Sequence, residues 1–125
     1  GTEKKHVIRA ALESMAFQTR DVVNAMQLDS GLNLKLMNVD GGAASNNFLM
    51  QFQANMLRVP VIRPANIEST ALGAAFLAGL AVNLWSKEQL PELRKADKIF
   101  EPNTPQVESD KLYKNWQYAV KQTRV

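Results

Sequence analysis

The residues best placed to do chemistry lie in one run, Asp40-Gly41-Gly42-Ala43-Ala44-Ser45-Asn46-Asn47. Leu34, Leu36, Met37 and Val39 ahead of it read as a short buried strand. Behind it, Phe48, Leu49, Phe52 and Met56 fall on one face of a helix opened by Ser45. A glycine pair between strand and helix lets the backbone come close to a ligand, and the free N–H groups of a helix start favour anionic or hydrogen-bonding groups. Asn46 and Asn47 stand in that first turn, where an amide offers both a donor and an acceptor. This geometry points to a nucleotide or phosphate site. The spacing is neither G-x-G-x-x-G nor a P-loop ending in G-K-[ST]. The same residues also make a plain strand-to-helix turn with Ser45 or an Asn as N-cap.

The elements around that run follow from pattern. Thr2 is placed to cap a first helix with the stripe Ile8, Leu12, Met15, Thr19, Val22, Met26, which Gly31 ends. Strand one is Leu34 to Val39, and helix two runs from about Ser45 to Arg58. Val59 to Pro64 is short, extended and flanked by prolines, which places it at a sheet edge. Ser69 or Thr70 starts a third helix reaching to about Trp85. One side of it, Ala71, Ala74, Ala78 and Ala81, is small enough for close approach. Helical pieces around Ser86 to Lys95 are divided at Pro91, Phe100 to Pro105 is irregular, and a last helix from about Ser109 buries Leu112, Trp116, Ala119 and Val120. The order is helix, strand, helix, strand, helix, then a helical tail. Two parallel strands joined through a helix form one crossover unit, but two are few for a sheet covered on both faces. The pattern reads as truncated.

Composition narrows the function classes. The chain has 125 residues, 46% hydrophobic and 22% charged, which is ordinary material for one globular domain or part of one. Its net charge of +3 and pI near 9.3 are mildly basic, but Arg58, Arg63, Arg94 and Lys95 are spread over three segments. That dispersal argues against nucleic acid as a partner. There is no cysteine, hence no disulfide framework or thiolate metal site, which fits a reducing, cytoplasmic setting. The lone histidine, His6, cannot make a metal site alone and reads as a solvated residue of the first helical turn. The start GTEKKHVIRA is charged where a signal peptide needs an apolar segment. Ala71 to Val82, the longest apolar run, is twelve residues, short of the roughly 20 that span a bilayer. It reads as a buried helix, and no membrane partner is expected.

At several points the residues resemble a known family. Asp40-Gly41-Gly42-Ala43 followed by Asn46-Asn47-Phe48-Leu49-Met50-Gln51-Phe52-Gln53-Ala54 is similar to the C-terminal nucleotide-binding segment of the glycerol kinases, carbohydrate kinases of the actin-like ATPase superfamily. His6 to Glu13 matches the second half of that family's C-terminal pattern, with Gly1-Thr2 just ahead of it. Glu68 to Ala75 with Ala78 to Ala81 resembles its small-residue helix beside the nucleotide. The likeness weakens between Ser86 and Glu108, and Asn83 stands where the family tends to have glycine.

The resemblance implies an α/β fold: part of an actin-like (ribonuclease H-like) ATPase domain, residues 1–125 being the C-terminal part of the second, nucleotide-binding domain. It implies ATP-dependent phosphorylation of glycerol in a longer enzyme, with ATP or ADP and magnesium as cofactors, and this piece supplying the adenosine side of the cleft. The catalytic aspartate, the phosphate loop and the glycerol-binding residues would lie elsewhere, so the segment carries no catalytic residue and no metal ligand. Gly42 is implied to approach the nucleotide with its backbone and Asn46 to face the adenine or ribose. Gly41 and Ala43 are further candidates whose part is to keep the turn small. Asp40 either lies in the ligand crevice or caps the turn. Gln51 and Gln53 read as solvated or packing residues and Glu13 as a structural hydrogen-bonding group. The full-length enzyme is expected to be a homo-oligomer, and the isolated segment to be inactive and to self-associate. The alternatives are a sugar kinase of the same family, or a stand-alone nucleotide-binding module, which would need a complete sheet of its own.

Overall fold

The computed structural model describes residues 1–93 and 95–123; Arg94 of the dispersed basic set therefore lies outside the described residues. In chain order the elements are α1 (Lys4–Ser30), β1 (Met37–Asn38), a 3-10 turn (Gly42–Ser45), α2 (Asn47–Leu57), β2 (Val61–Pro64), α3 (Ser69–Ala81), a second 3-10 turn (Lys87–Gln89), α4 (Leu90–Leu93), β3 (Ala96–Phe100) and α5 (Gln106–Thr123).

β1 and β2 are parallel and joined through α2, as the crossover reading requires. The sheet order is β1-β2-β3, so β2 is the central strand and not an edge. Its prolines permit this because both stand at its limits. Pro60 precedes the strand and offers its carbonyl to Met37 N–H at 2.9 Å. Pro64 falls where the antiparallel register with β3 is broken, between Arg63 and Pro64. β3 itself was not expected. Only Phe100 of its five residues is buried, which leaves no alternation to read.

The core gathers Ala16 and Phe17 of α1, Ala44 of the turn, most of α2, Val61 of β2, Phe100 of β3 and Tyr113 of α5. Phe17 is its joint. It meets Phe52 edge-on at 5.4 Å and stacks on Trp116 at 5.5 Å. A buried phenylalanine contributes roughly 1.5–3 kcal/mol by area alone. Beside it, Asp21 accepts hydrogen bonds from the Tyr113 hydroxyl and, at 2.8 Å, from Trp116 Nε1, while Arg20 pairs with Asp110 at 2.8 Å and lies 4.1 Å from the centre of the Tyr113 ring. Burial pushes the Tyr113 phenol up, and its bond to Asp21 adds to that. The hydrogen bond from Arg20 holds the Asp110 carboxyl below its ordinary range.

Several expectations about helix faces and ends are corrected. Glu3, not Thr2, caps α1: its N–H donates to His6 Nδ1 at 3.0 Å while its side chain accepts from the turn, so exposed His6 closes a capping box. The buried face of α1 is Ala16, Phe17 and Val23, leaving Ile8, Met15, Val22 and Met26 exposed. Both faces are apolar enough to be core, and the positions of α2 and α5 decide between them. α3 is open instead of buried: its alanine side is exposed and Leu77 is 70% exposed. It ends at Ala81 and not near Trp85. Close approach occurs at Gly79, where a Cβ would overlap the Trp85 ring, whose Nε1 donates to the Phe76 carbonyl at 3.0 Å. Asn83 explains its own departure from glycine. It adopts φ 56, and its N–H and that of Leu84 reach back to the carbonyls of Leu80 and Gly79, a Schellman ending that Asn tolerates. Pro91 does not divide the helical pieces; it sits in the first turn of α4, where its missing N–H costs nothing. α5 starts at Gln106 and buries Ser109 and Tyr113, with Trp116 and Val120 half-buried and Leu112 and Ala119 exposed.

β1 pairs with β2 alone among the described residues and so presents a free edge, and one apolar side of α1 is uncovered. Free edges and bare apolar faces template association. The isolated chain is expected to self-associate, with its apparent mass in light scattering falling on dilution; a monomer at all concentrations with a cooperative melt would show that these faces are tolerated.

Candidate functional site

The turn between β1 and α2 is more elaborate than a simple helix start. Gly41 has φ 74 and ψ 176, a conformation that only glycine adopts without strain. Its N–H donates to the Ile67 carbonyl at 2.9 Å, tying the turn to the segment beyond β2. Gly42 to Ser45 then make one 3-10 turn, closed by Ala44 N–H to the Gly41 carbonyl and by Ser45 Oγ to the Gly42 carbonyl at 2.7 Å. Ser45 thus belongs to this turn, and α2 begins at Asn47. Asn46 is the N-cap, its Oδ1 accepting Leu49 N–H at 3.0 Å. Backbone and serine bonds, and not the Asp40 carboxylate, close the turn.

The four candidates separate by role. Gly41 is required by the chain's own conformation. Gly42 is not: it is exposed, without positive φ, and a Cβ built on it would meet nothing within 4 Å. Ala43 is exposed beside it, while Ala44 is buried in the core and anchors the turn from below. Asn46 is half-buried, with its carbonyl oxygen spent on the cap, so the NH2 group is what it offers outward.

One residue here was missed from the sequence. Arg63 of β2 sends Nη1 to the carbonyls of Ala44 at 3.1 Å and Ser45 at 3.3 Å and to Asn47 Oδ1 at 3.0 Å, while Nε and Nη2 hold Asp97 Oδ2 at 2.7 and 2.6 Å. A charge inside a four-residue strand between Ile62 and Pro64 is the signal that marks it, since such a charge needs partners. Gln51 is a packing residue, donating to the Glu101 carbonyl at 2.7 Å; Gln53 is buried; Glu13 accepts from Arg9 Nε at 2.7 Å. No group of three or more His, Asp or Glu side chains among the described residues is placed to hold a metal, and none of their helices is long and apolar enough to cross a membrane.

A glycine-shaped turn at the end of a parallel strand, leading into a capped helix, is an α/β arrangement whose ligand crevice lies at the strand ends. The chain belongs to the FGGY family of carbohydrate kinases, whose C-terminal domain matches residues 1–82. Among curated relatives, the glycerol kinase of Carboxydothermus hydrogenoformans is 58% identical over 125 residues, covering 99% of this chain and 25% of the relative. That of Xanthomonas campestris is 54% identical over 124 residues, covering 98% and 25%. The chain therefore spans about a quarter of the length of these relatives. Of solved structures, Plasmodium falciparum glycerol kinase with ADP superposes with a TM-score of 0.89 at 33% identity, over 100% of this chain and 25% of that one. Xylulose kinase from Lactobacillus acidophilus gives 0.71 at 25%, over 98% and 27%. The fold is accordingly the partial actin-like ATPase architecture, α/β with a small mixed sheet.

The contrast between the two glycines is open to test. Gly41→Ala is expected to lower the stability of the folded protein by about 1–3 kcal/mol, and Gly42→Ala to change it by less than about 0.5 kcal/mol. Urea unfolding of each variant measures the difference, and equal losses would contradict the assignment of roles.

Proposed function

We propose that this chain is the adenosine side of the ATP cleft of a glycerol kinase, an enzyme that phosphorylates glycerol to glycerol 3-phosphate. Residues 1–125 form the C-terminal part of its second domain. The observation that carries this reading is Gly42, which is glycine although nothing in its own chain requires it. The free space over it is what a closely approaching nucleotide would fill. Gly42 meets the ligand with its backbone, Asn46 donates from its NH2 group to the adenine or ribose, Gly41 sets the conformation that brings them forward, and Ala43 keeps the rim low.

The family's substrate is ATP, with magnesium on its phosphates. Metal ligands, general base and glycerol contacts come from the other parts of the enzyme, and this chain holds no catalytic residue. Phosphoryl transfer rests on positioning and charge stabilisation, and one wall of a cleft positions only the nucleotide. The enzyme works in the cytoplasm as a homo-oligomer. Glycerol is favoured over a sugar by the run from Asn46 to Ala54 and by the closer structural likeness to a glycerol kinase than to a xylulose kinase.

The full-length kinase carrying this chain is expected to release ADP with glycerol and far less with xylulose or gluconate, and residues 1–125 alone to show no turnover. A preference for xylulose or gluconate would move the enzyme to another branch of the family, and turnover by the segment would refute its place as a half-site.

A second test isolates Asn46. Losing one hydrogen bond to the ligand costs about 1 kcal/mol, a several-fold effect. Asn46→Ser retains a helix cap and lacks the amide, so it should raise the KM for ATP several-fold with the glycerol KM and the Tm nearly unchanged. Asn46→Ala should show the same KM change plus a loss of stability of about 1 kcal/mol from the cap. Equal damage to both substrate constants in Asn46→Ser would make the residue a folding element only.

A further inference from the structure

We propose that Arg63 is the positioning residue of the nucleotide turn, an inference that rests on the reading of that turn as the adenosine wall. Its guanidinium comes from the central strand β2, with 13% of its side chain exposed, and lies 5.4 Å from the centre of the Phe100 ring. The carbonyls it holds, those of Ala44 and Ser45, stand at the junction of the 3-10 turn and α2, where one helical ladder ends before the next begins. In a trans peptide unit the C=O and N–H are rigidly opposed. Drawing two successive carbonyls to one cation therefore sets the direction of both peptide units between Ala44 and Asn46. Asn47 Oδ1 joins the same nitrogen, so the start of α2 is held with them.

The other ties are Gly41 N–H on the Ile67 carbonyl, the buried Ala44 methyl, and bonds within the turn itself, from Ala44 N–H to the Gly41 carbonyl, Ser45 Oγ to the Gly42 carbonyl and Asn46 N–H to the Ala43 carbonyl at 3.2 Å. The bonds within the turn shape it locally, and Arg63 is what ties the Ala44 and Ser45 carbonyls to the sheet. Asp97, on β3, completes the arrangement by neutralising the guanidinium from the far side at 2.6 Å. A buried charge is retained at a cost in desolvation, and an apolar side chain would pack on Phe100 without it. What the guanidinium adds over such a side chain is directional: a planar fork that reaches four acceptors on three elements, which an ammonium cannot reproduce.

The test uses the full-length kinase with Arg63→Lys, Arg63→Met and Gly42→Val. Arg63→Lys keeps the charge and loses the fork; Arg63→Met keeps the packing on Phe100 and loses both. The KM for ATP is expected to rise roughly ten-fold in each, with the glycerol KM and kcat nearly unchanged and the Tm lowered less in Arg63→Lys than in Arg63→Met. If Arg63→Met fails to fold, Arg63→Lys decides alone. An Arg63→Lys enzyme with an unchanged ATP constant, or one that loses stability and both constants together, overturns the inference. Gly42→Val separates the two readings. If it raises the KM for ATP while the Arg63 variants do not, only the role of Arg63 falls. If it leaves the KM for ATP untouched, the turn is not the adenosine wall and both readings fall.

Discussion

A guanidinium that is mostly withdrawn from water is stable only where its donors are used, and Arg63 uses them on three elements at once. The carbonyls of Ala44 and Ser45, the amide of Asn47 and the carboxylate of Asp97 converge on it. The sheet and the glycine turn are thereby one unit: β2 carries the cation, β3 neutralises it, and the turn between β1 and α2 takes its shape from it. An unpaired charge at this place would cost more than the pairing returns.

Beneath that unit the helices are joined by aromatic stacking and a small polar network. Phe17 brings α1, α2 and α5 together through Phe52 and Trp116. Asp21 and Arg20 then lock α1 to α5 through Tyr113, Trp116 and Asp110. The loop ahead of α5 is tied to α2 in the same way. The Asn103 N–H donates to buried Asn55 at 2.8 Å, and the Arg58 guanidinium donates to the Thr104 carbonyl at 2.7 Å. These contacts fix the ground on which α2 stands, and α2 in turn presents Asn46 at its start. The opposite side of α1, the open face of α3 and the free edge of β1 take no part in this core. They are apolar surfaces of the kind that a larger protein covers, in keeping with a chain that spans about a quarter of the length of its relatives.

The glycine turn was legible in the sequence because its determinants are local. Only glycine accepts the conformation of Gly41, and an Asn followed by an apolar run is a helix cap by its own geometry. Gly31 at the end of α1 was legible for the same reason, whereas the close approach on α3 was expected on its alanine side and occurs instead at Gly79. The sheet was not legible. Val59 to Pro64 carries two prolines that signal an edge, yet Pro60 precedes the strand and Pro64 ends it, so no interior donor is lost. β3 has one buried residue in five, so no period marks it. Arg63 looked like one of several scattered cations until the fold placed it beneath the turn.

The sequence by itself determined which stretches form the long helices, though not their exact ends, which turn needs glycine, and the family to which the chain belongs. All of these depend on side chains within about one helical turn of one another, or on motifs read in order. Tertiary structure alone decided which face of α1 is inward, which strand is central, and which cation serves the site. The partners that settle those questions lie far along the chain: Tyr113 and Trp116 are 92 and 95 residues from Asp21, and Asp97 is 34 from Arg63. A helix with two apolar faces has no local reason to prefer either, and only the elements that arrive to cover one of them supply it.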